Sequence, residues 1–471
     1  MESSPAAHDT GTSASDAELR VLPKSRIAGW LSPVRRVLKL QATSGLLLMA
    51  TTAIAMIAAN SPWSGPFLHF WETPCVIAFG DYLLKKDLLH VINDGLMTIF
   101  FFVVGLEIKR EVVSGELSDL RKATLPIVAA IGGMIVPATV FLLVGSVLSL
   151  PAEAVKGWTI PMATDIAFVV GLLSLFGNRV PIGLKILLLS LAIVDDLGAV
   201  ILIAVLFTEH LALLSLGIGA GGVVLTFLMN RIGVRSVGLY VVVGAITWLA
   251  VLKSGVHPTI AGVVLGLMTP GKAWVPYDTL AAVLDRLRAE LSRFTTQPPT
   301  ADGHPQPVPH SKTLHDDLAE AEFATRESIA PLYRLEHLLH PWVAFLIMPL
   351  FALANAGVPL DLSQAFQPVA ICVAVGLALG KPLGIFGLSY IAVMLRIAKL
   401  PEGVSWKLYL GGACLAGIGF TMSLFLGALA LPEELIPSGK LGTLMGSAVS
   451  ATLGMWLIAI MLPKAKTQPE A

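Results

Sequence analysis

The sequence predicts an all-α polytopic membrane protein of twelve transmembrane helices, two of them discontinuous, and three observations carry that prediction. Hydrophobic residues make up 55% of the chain and charged residues only 14%, with a mean hydropathy of +0.78, whereas ordinary soluble domains are roughly 25% charged. Apolar runs recur along nearly the whole chain at a length that crosses a hydrocarbon core of ~30 Å, which takes about 20 helical residues. Two of those runs are broken, one by a proline and one by clustered glycines, where a continuous helix is not expected.

Taken in order, residues 1–37 are rich in Ser, Ala, Asp and Arg, lack the apolar core of a cleavable leader, and read as a disordered cytoplasmic tail. Residues 38–270 hold eight spans, near 43–60, 88–107, 124–148, 158–176, 181–207, 210–230, 236–252 and 256–270. The fourth and eighth are short, and the fourth carries Pro161 just ahead of Thr164 and Asp165. Residues 271–335 form a polar insert. Within it TTQPPTADGHPQPVPH (295–310) is proline-rich and reads as unstructured, and 311–337 reads as helical. Residues 336–462 hold four further spans, near 338–357, 367–395, 405–430 and 440–462, and 463–471 form a second cytoplasmic tail. The eleventh span is interrupted by GGACLAGIGF (411–420) with its four glycines.

Placing the N-terminus inside puts 26 lysines and arginines on the cytoplasmic side, 5 outside and 1 within a span. That bias is what a correct topology shows, since basic loops resist translocation. Both termini and the insert then face the cytoplasm. Trp30, Trp63, Trp71, Trp158 and Trp342 fall near span ends, as interfacial anchors do. The 32 basic and 32 acidic residues cancel, so no nucleic-acid partner is indicated. Cys75, Cys372 and Cys414 are too few and too scattered for a disulfide framework or a metal knot.

Charges at mid-bilayer cost at least ~2.5–3.5 kcal/mol each, so each needs a partner or a task. They are Asp165 in IPMATDIAFVVG, Asp195 and Asp196 in LAIVDDLGAV, and Lys381 in GLALGKPLGIFG, with Asp94 nearer an outer end. One structural ion pair, an aspartate against Lys381, leaves the other carboxylates in surplus. Adjacent helical residues point about 100° apart, so Asp195 and Asp196 meet different surroundings. A carboxylate taken out of water holds its proton more tightly, and a second carboxylate nearby adds to that. Such a group can hold a proton or a small hard cation, and oxygen ligands suit hard cations. Proton and cation therefore exchange through one site, with Asp195 and Asp196 as its ligands. Asp165 and Lys381 suit a second task, neutralising the dipole ends of interrupted helices, and discontinuous helices are themselves a pointer to a transporter site.

The motifs GLEIKRE (105–111), AAIGGMIVPA (129–138), ATDIAFVVG (163–171), LAIVDDLGA (191–199), LKSGVHPT (252–259), LEHLLHPWVAFLIMPLFALANAGV (335–358), GKPLGI (380–385) and GIGFTMS (417–423) together resemble the NhaA family of sodium/proton antiporters. They cover the chain from about residue 40 to 460 in the family's order. The resemblance implies the NhaA fold, in which spans three to five mirror ten to twelve as inverted repeats and the fourth and eleventh unwind where they cross. It implies that Asp196 is the essential carboxylate for Na+, Li+ and H+, that its neighbour Asp195 pairs with Lys381, and that Thr164 and Asp165 lie at the crossing. Exchange would be electrogenic and would use no cofactor. The resemblance also implies a homodimer built on a β-hairpin in the loop 61–87, in contact with membrane lipids.

On the cytoplasmic side, Glu107 and Arg110 stand at i,i+3 and Glu107 and Glu111 at i,i+4 on one helix face, while Glu336 and His340 are i,i+4 and His337 and His340 are i,i+3. Histidine titrates near neutrality, so such a cluster can report alkalinisation. The resemblance assigns these positions, and His257, to pH sensing. The long tail and insert exceed the compact family pattern. Two other classes remain: an intramembrane aspartyl protease, against which Thr164 and Val194 precede the aspartates where that class has tyrosine or glycine, and a channel or structural subunit of a larger complex.

Overall fold

The computed structural model describes residues 41–79, 82–208, 211–234, 236–295 and 312–462. The predicted tails and residues 296–311 of the insert lie outside the described residues. Helix α1 (Gln41–Ala59) turns by 118° into the short α2 (Ser64–Trp71). An antiparallel hairpin follows, β1 (Pro74–Phe79) on β2 (Tyr82–Asp87), in register from Pro74 opposite Asp87 to Phe79 opposite Tyr82. It occupies the loop in which the resemblance places a hairpin. Asp87 then caps the next helix by accepting from the His90 amide at 2.8 Å.

Long helices α3 (Leu88–Ser114) and α4 (Leu120–Val147) lead to the first broken span, a 310 helix Ala152–Met162 bent by 41° against α5 (Ile166–Ser174). Then come α6 (Ile182–Leu206), α7 (Leu213–Ile232), α8 (Val237–Leu252) and α9 (Thr259–Met268). The insert holds α10 (Tyr277–Thr295) and α11 (Lys312–Glu327). The chain returns as α12 (Pro331–Asn355), α13 (Pro368–Met394), the second broken span α14 (Trp406–Ala416) and α15 (Phe420–Ala430) bent by 44°, and α16 (Ile436–Met461).

Each predicted span coincides with a helix or a bent pair. By length and apolarity alone, seven helices among the described residues suffice to cross a membrane, or ten if each bent pair is one span. The twelve of the sequence reading add α8 and α9, which are apolar but shorter. Two details of the insert go beyond the sequence reading. The stretch 311–337 is helical, as expected, but in two pieces: Ala330 is extended (φ −57°, ψ 141°) and Pro331 opens α12, as the steric demand of proline on the preceding residue requires. Helix α10 was not anticipated, because its charged residues hide an apolar stripe at Leu280, Val283 and Leu287.

The order long helix, broken span, long helix occurs twice, in α4 to α6 and in α13 to α16. The two sets meet where α4 packs along α13, and the contact is backbone on backbone. A Cβ added at Gly132 would strike the Gly384 carbonyl, and one at Gly384 would strike the Gly132 carbonyl. Helices in lipid associate through such small-residue approaches because no water is expelled between them. Gly132→Val is expected to lower the thermal midpoint of detergent-solubilised protein, an overpacking cost of about 1–3 kcal/mol. Gly387→Ala, on α13 one turn beyond Gly384 but with nothing within 4 Å, should leave it unchanged; equal midpoints for the two variants would refute the contact.

Candidate cation and proton site at the crossing of the broken helices

The site grows from two helices that stop in mid-membrane. At the first break, residues 163–165 are non-helical, and the Asp165 amide donates to the Ile418 carbonyl in the second break at 2.7 Å. The two breaks are therefore hydrogen-bonded to each other, which satisfies backbone groups that lipid cannot.

Each break exposes one helix N-terminus and one C-terminal end, and the side chains match them. Asp165 Oδ1 accepts from the Phe168 amide at 3.1 Å, capping α5. Its Oδ2 accepts from the Thr421 amide at 3.1 Å and the Thr421 hydroxyl at 2.5 Å, capping α15. One carboxylate thus faces two positive dipole ends. At the opposite ends, Lys381 Nζ donates to the Met162 carbonyl, the last of the 310 helix, and the Thr164 hydroxyl donates to the Ala416 carbonyl, the last of α14, at 3.0 Å. Lys381 reaches this place from a helix that has just widened: the Lys381 amide donates to the Gly376 carbonyl five residues back. The following Pro382 has no N–H to continue the α ladder.

Lys381 Nζ also lies 2.9 Å from Asp195 Oδ2, with both side chains fully buried. The Thr164 hydroxyl lies 2.7 Å from the same oxygen, so its single proton is shared between Asp195 and the Ala416 carbonyl. Asp196, 5% exposed, has no such counterion: its electrostatic neighbours are Asp195, Glu107, Lys381 and Asp165, three carboxylates to one ammonium. Asp195 Oδ1 and Asp196 Oδ1 are both buried without a hydrogen-bond partner. Beside the first of them stands Gly133, where a Cβ would lie 2.9 Å from Ile385 Cγ1 and 3.8 Å from Asp195 Oδ1, so a side chain is excluded at this place. Among the described residues no three His, Cys, Asp or Glu side chains form a metal cage. An ion at this place would therefore take two carboxylates and fill its remaining positions with neutral oxygens or water.

The structure thus brings Asp195, Asp196, Thr164, Asp165 and Lys381 together. Thr421 belongs with them and was missed, although it stands in the quoted motif GIGFTMS. The other predicted residues divide. Arg110 Nη1 bonds Glu336 across α3 and α12, and its Nη2 lies 3.3 Å from Glu111. Glu107 sits one turn deeper, within electrostatic reach of Asp196. His337 and His340 are exposed on α12. His257 lies apart from that cluster, 2.7 Å from the Thr259 hydroxyl and edge-on to Phe425 of α15 with ring centres 5.5 Å apart. Asp94 sits in a π-helical turn of α3, near Lys86, Asp87 and His90 at the hairpin base.

The sequence profile of the Na+/H+ antiporter 1 family matches residues 35–458. The chain belongs to that family. It is 48% identical over 449 residues to the Na+/H+ antiporter NhaA of Rhodopirellula baltica, covering 95% of this chain and 98% of that protein. It is 46% identical to Na+/H+ antiporter NhaA 2 of Myxococcus xanthus (93% and 92% covered) and 44% identical to Na+/H+ antiporter NhaA of Rhizobium meliloti (93% and 97%). The protease alternative fails on geometry as well. A shared-proton pair needs two free carboxyls, but Asp195 is ion-paired with Lys381 and both oxygens of Asp165 cap helices.

Removing one partner of a buried ion pair strands the other and costs about 3–5 kcal/mol. Lys381→Ala should therefore destabilise the antiporter strongly. Lys381→Ala combined with Asp195→Asn should recover a large part of the loss in thermal unfolding, and a double variant no more stable than the single would show that Asp195 is not the stranded charge.

Proposed function

We propose that this member of the Na+/H+ antiporter family exchanges Na+ for H+ at Asp196 and Asp195, by competition of the two cations for the same carboxylates. The observation that carries the proposal is the uncompensated charge: Lys381 answers Asp195 and two helix N-termini answer Asp165, while Asp196 has a carboxyl oxygen with no partner at all. A buried carboxylate without a counterion binds either a proton or a cation. If the site is reached from one side at a time, each cation can leave only when the other has replaced it.

Lithium, a smaller hard cation, fits the same donor set. Two protons leaving for one monovalent ion, one from Asp196 and one from the Asp195–Lys381 pair, would make the exchange electrogenic. The positive-inside bias supports a plasma membrane with both termini in the cytoplasm. The hairpin Pro74–Asp87 has two open strand edges, and an open edge is a template for pairing with a second copy, which supports a homodimer. The cluster of Arg110, Glu111 and Glu336, with Glu107, His337 and His340 around it, would tune the exchange to cytoplasmic pH.

In everted membrane vesicles, Asp196→Asn should abolish the Na+-driven dequenching of a ΔpH-sensitive dye; retained exchange would overturn the assignment. In the wild type, lowering the pH adds the competing proton, so the apparent KM for Na+ should rise, by about tenfold per pH unit for each proton displaced. A KM that is flat with pH would show that the two cations do not share a seat.

A further inference from the structure

The insert is joined to the transporter at the root of the cytoplasmic charge cluster. Its last helix, α11, ends on Glu327, whose side chain is only 1% exposed. The Glu327 carboxylate lies 3.1 Å from Arg334 Nη1, in the first turn of α12, and 3.4 Å from Arg326 Nε. The same Arg334 nitrogen donates to the Arg326 carbonyl at 2.8 Å. The Glu327 carbonyl accepts from the amides of Trp274 and Val275, at 3.0 and 3.2 Å, just ahead of α10. Both ends of the insert therefore close on one residue.

Arg334 stands two residues before Glu336, which bonds Arg110 of α3. The neighbouring turn is tied to α3 as well, by Tyr333 and Ser114 hydroxyls 2.7 Å apart. The Leu332 amide donates to the Pro270 carbonyl at 3.1 Å, and Leu332 and Val113 side chains both reach Gly271. The groups facing this turn are Arg326 and Glu327 from α11, Arg110 and Glu111 from α3, and His337 and His340 from α12 itself. Glu107 lies beyond Arg110.

We infer that Glu327 is a positioning residue for the cytoplasmic cluster: by holding Arg334, it fixes the turn on which Glu336 meets Arg110, and so sets the pH at which exchange switches on. This rests on the reading of that cluster as a pH sensor. Glu327 contacts Arg326 and Arg334 and enters no step of the proposed ion exchange. Its loss should move the pH profile and leave the plateau rate.

The test is Na+-driven exchange in everted vesicles, across pH and at saturating Na+, for wild type, Glu327→Gln, Arg334→Gln, Glu327→Asp and Glu336→Gln. Glu327→Gln and Arg334→Gln should each displace the half-activation point by about half a pH unit or more, a threefold change on a one-proton limb, with the plateau rate within about twofold of wild type. Glu327→Asp, which keeps the carboxylate, should restore most of the displacement. A Glu336→Gln variant that shifts the profile while both Glu327→Gln and Arg334→Gln leave it in place would overturn this inference and leave the sensor standing. Unshifted profiles in all three would overturn both. Should Glu327→Gln yield no folded protein, Arg334→Gln decides by the same criterion, because Arg334 is the partly exposed partner.

Discussion

An excess of negative charge in an interior that excludes water is the constraint on which the rest of the structure depends. Asp165, Asp195 and Asp196 are all nearly inaccessible, against one buried cation at the crossing, Lys381. A low-dielectric interior makes an isolated carboxylate very costly, so the fold must supply compensation or leave a group that takes it from solution. It does both. The ammonium serves Asp195, the two helix N-termini serve Asp165, and what remains, at Asp196, is a buried carboxyl oxygen without a partner, on which the proposed exchange rests.

The broken helices make this possible. Two intact helices would have no free N-termini at mid-membrane, and Asp165 would join Asp196 as a second uncompensated charge. Breaking them creates four unsatisfied backbone ends, and each is answered within the crossing, the two N-termini by Asp165 and the two C-terminal ends by Thr164 and Lys381. The close approach of α4 and α13 at Gly132 and Gly384 belongs to the same economy, since it brings Lys381 from one repeat to the aspartate of the other. Helices α3 and α12 are linked at both ends, by Arg110 to Glu336 on one side and by Asn355 Nδ2 donating to Asn93 at 2.9 Å on the other. A change at the cytoplasmic link therefore acts on helices whose far ends are also held.

How much of this could be read from the residues depended on the period of the signal. The twelve apolar segments were readable because lipid imposes a length that the sequence cannot disguise, and the break at Pro161 and the glycines of 411–420 fell where the helices do stop. That an aspartate pairs with Lys381 follows from charge alone; that it is Asp195 is what the family resemblance implies, and the two are ion-paired. Thr421 was not anticipated, because a threonine among apolar residues carries no charge anomaly; its task appears only when α15 is seen to begin beside Asp165. Glu327 and Arg334 were missed for a related reason, as charges in a polar stretch look solvated until the fold buries one of them. The helical reading of 311–337 holds, but it carried no division at Pro331, where one helix has ended and the next begins.

The central claim is that metal and proton displace one another from one pair of carboxylates. Calorimetric titration of the purified protein with NaCl, repeated at one pH in two buffers of different ionisation enthalpy, measures the protons released for each ion bound. The account predicts a release of about one to two protons per Na+, because the ligands must be deprotonated to bind the ion. Heats of Na+ binding that are identical in both buffers, with uptake and no proton set free, would contradict it.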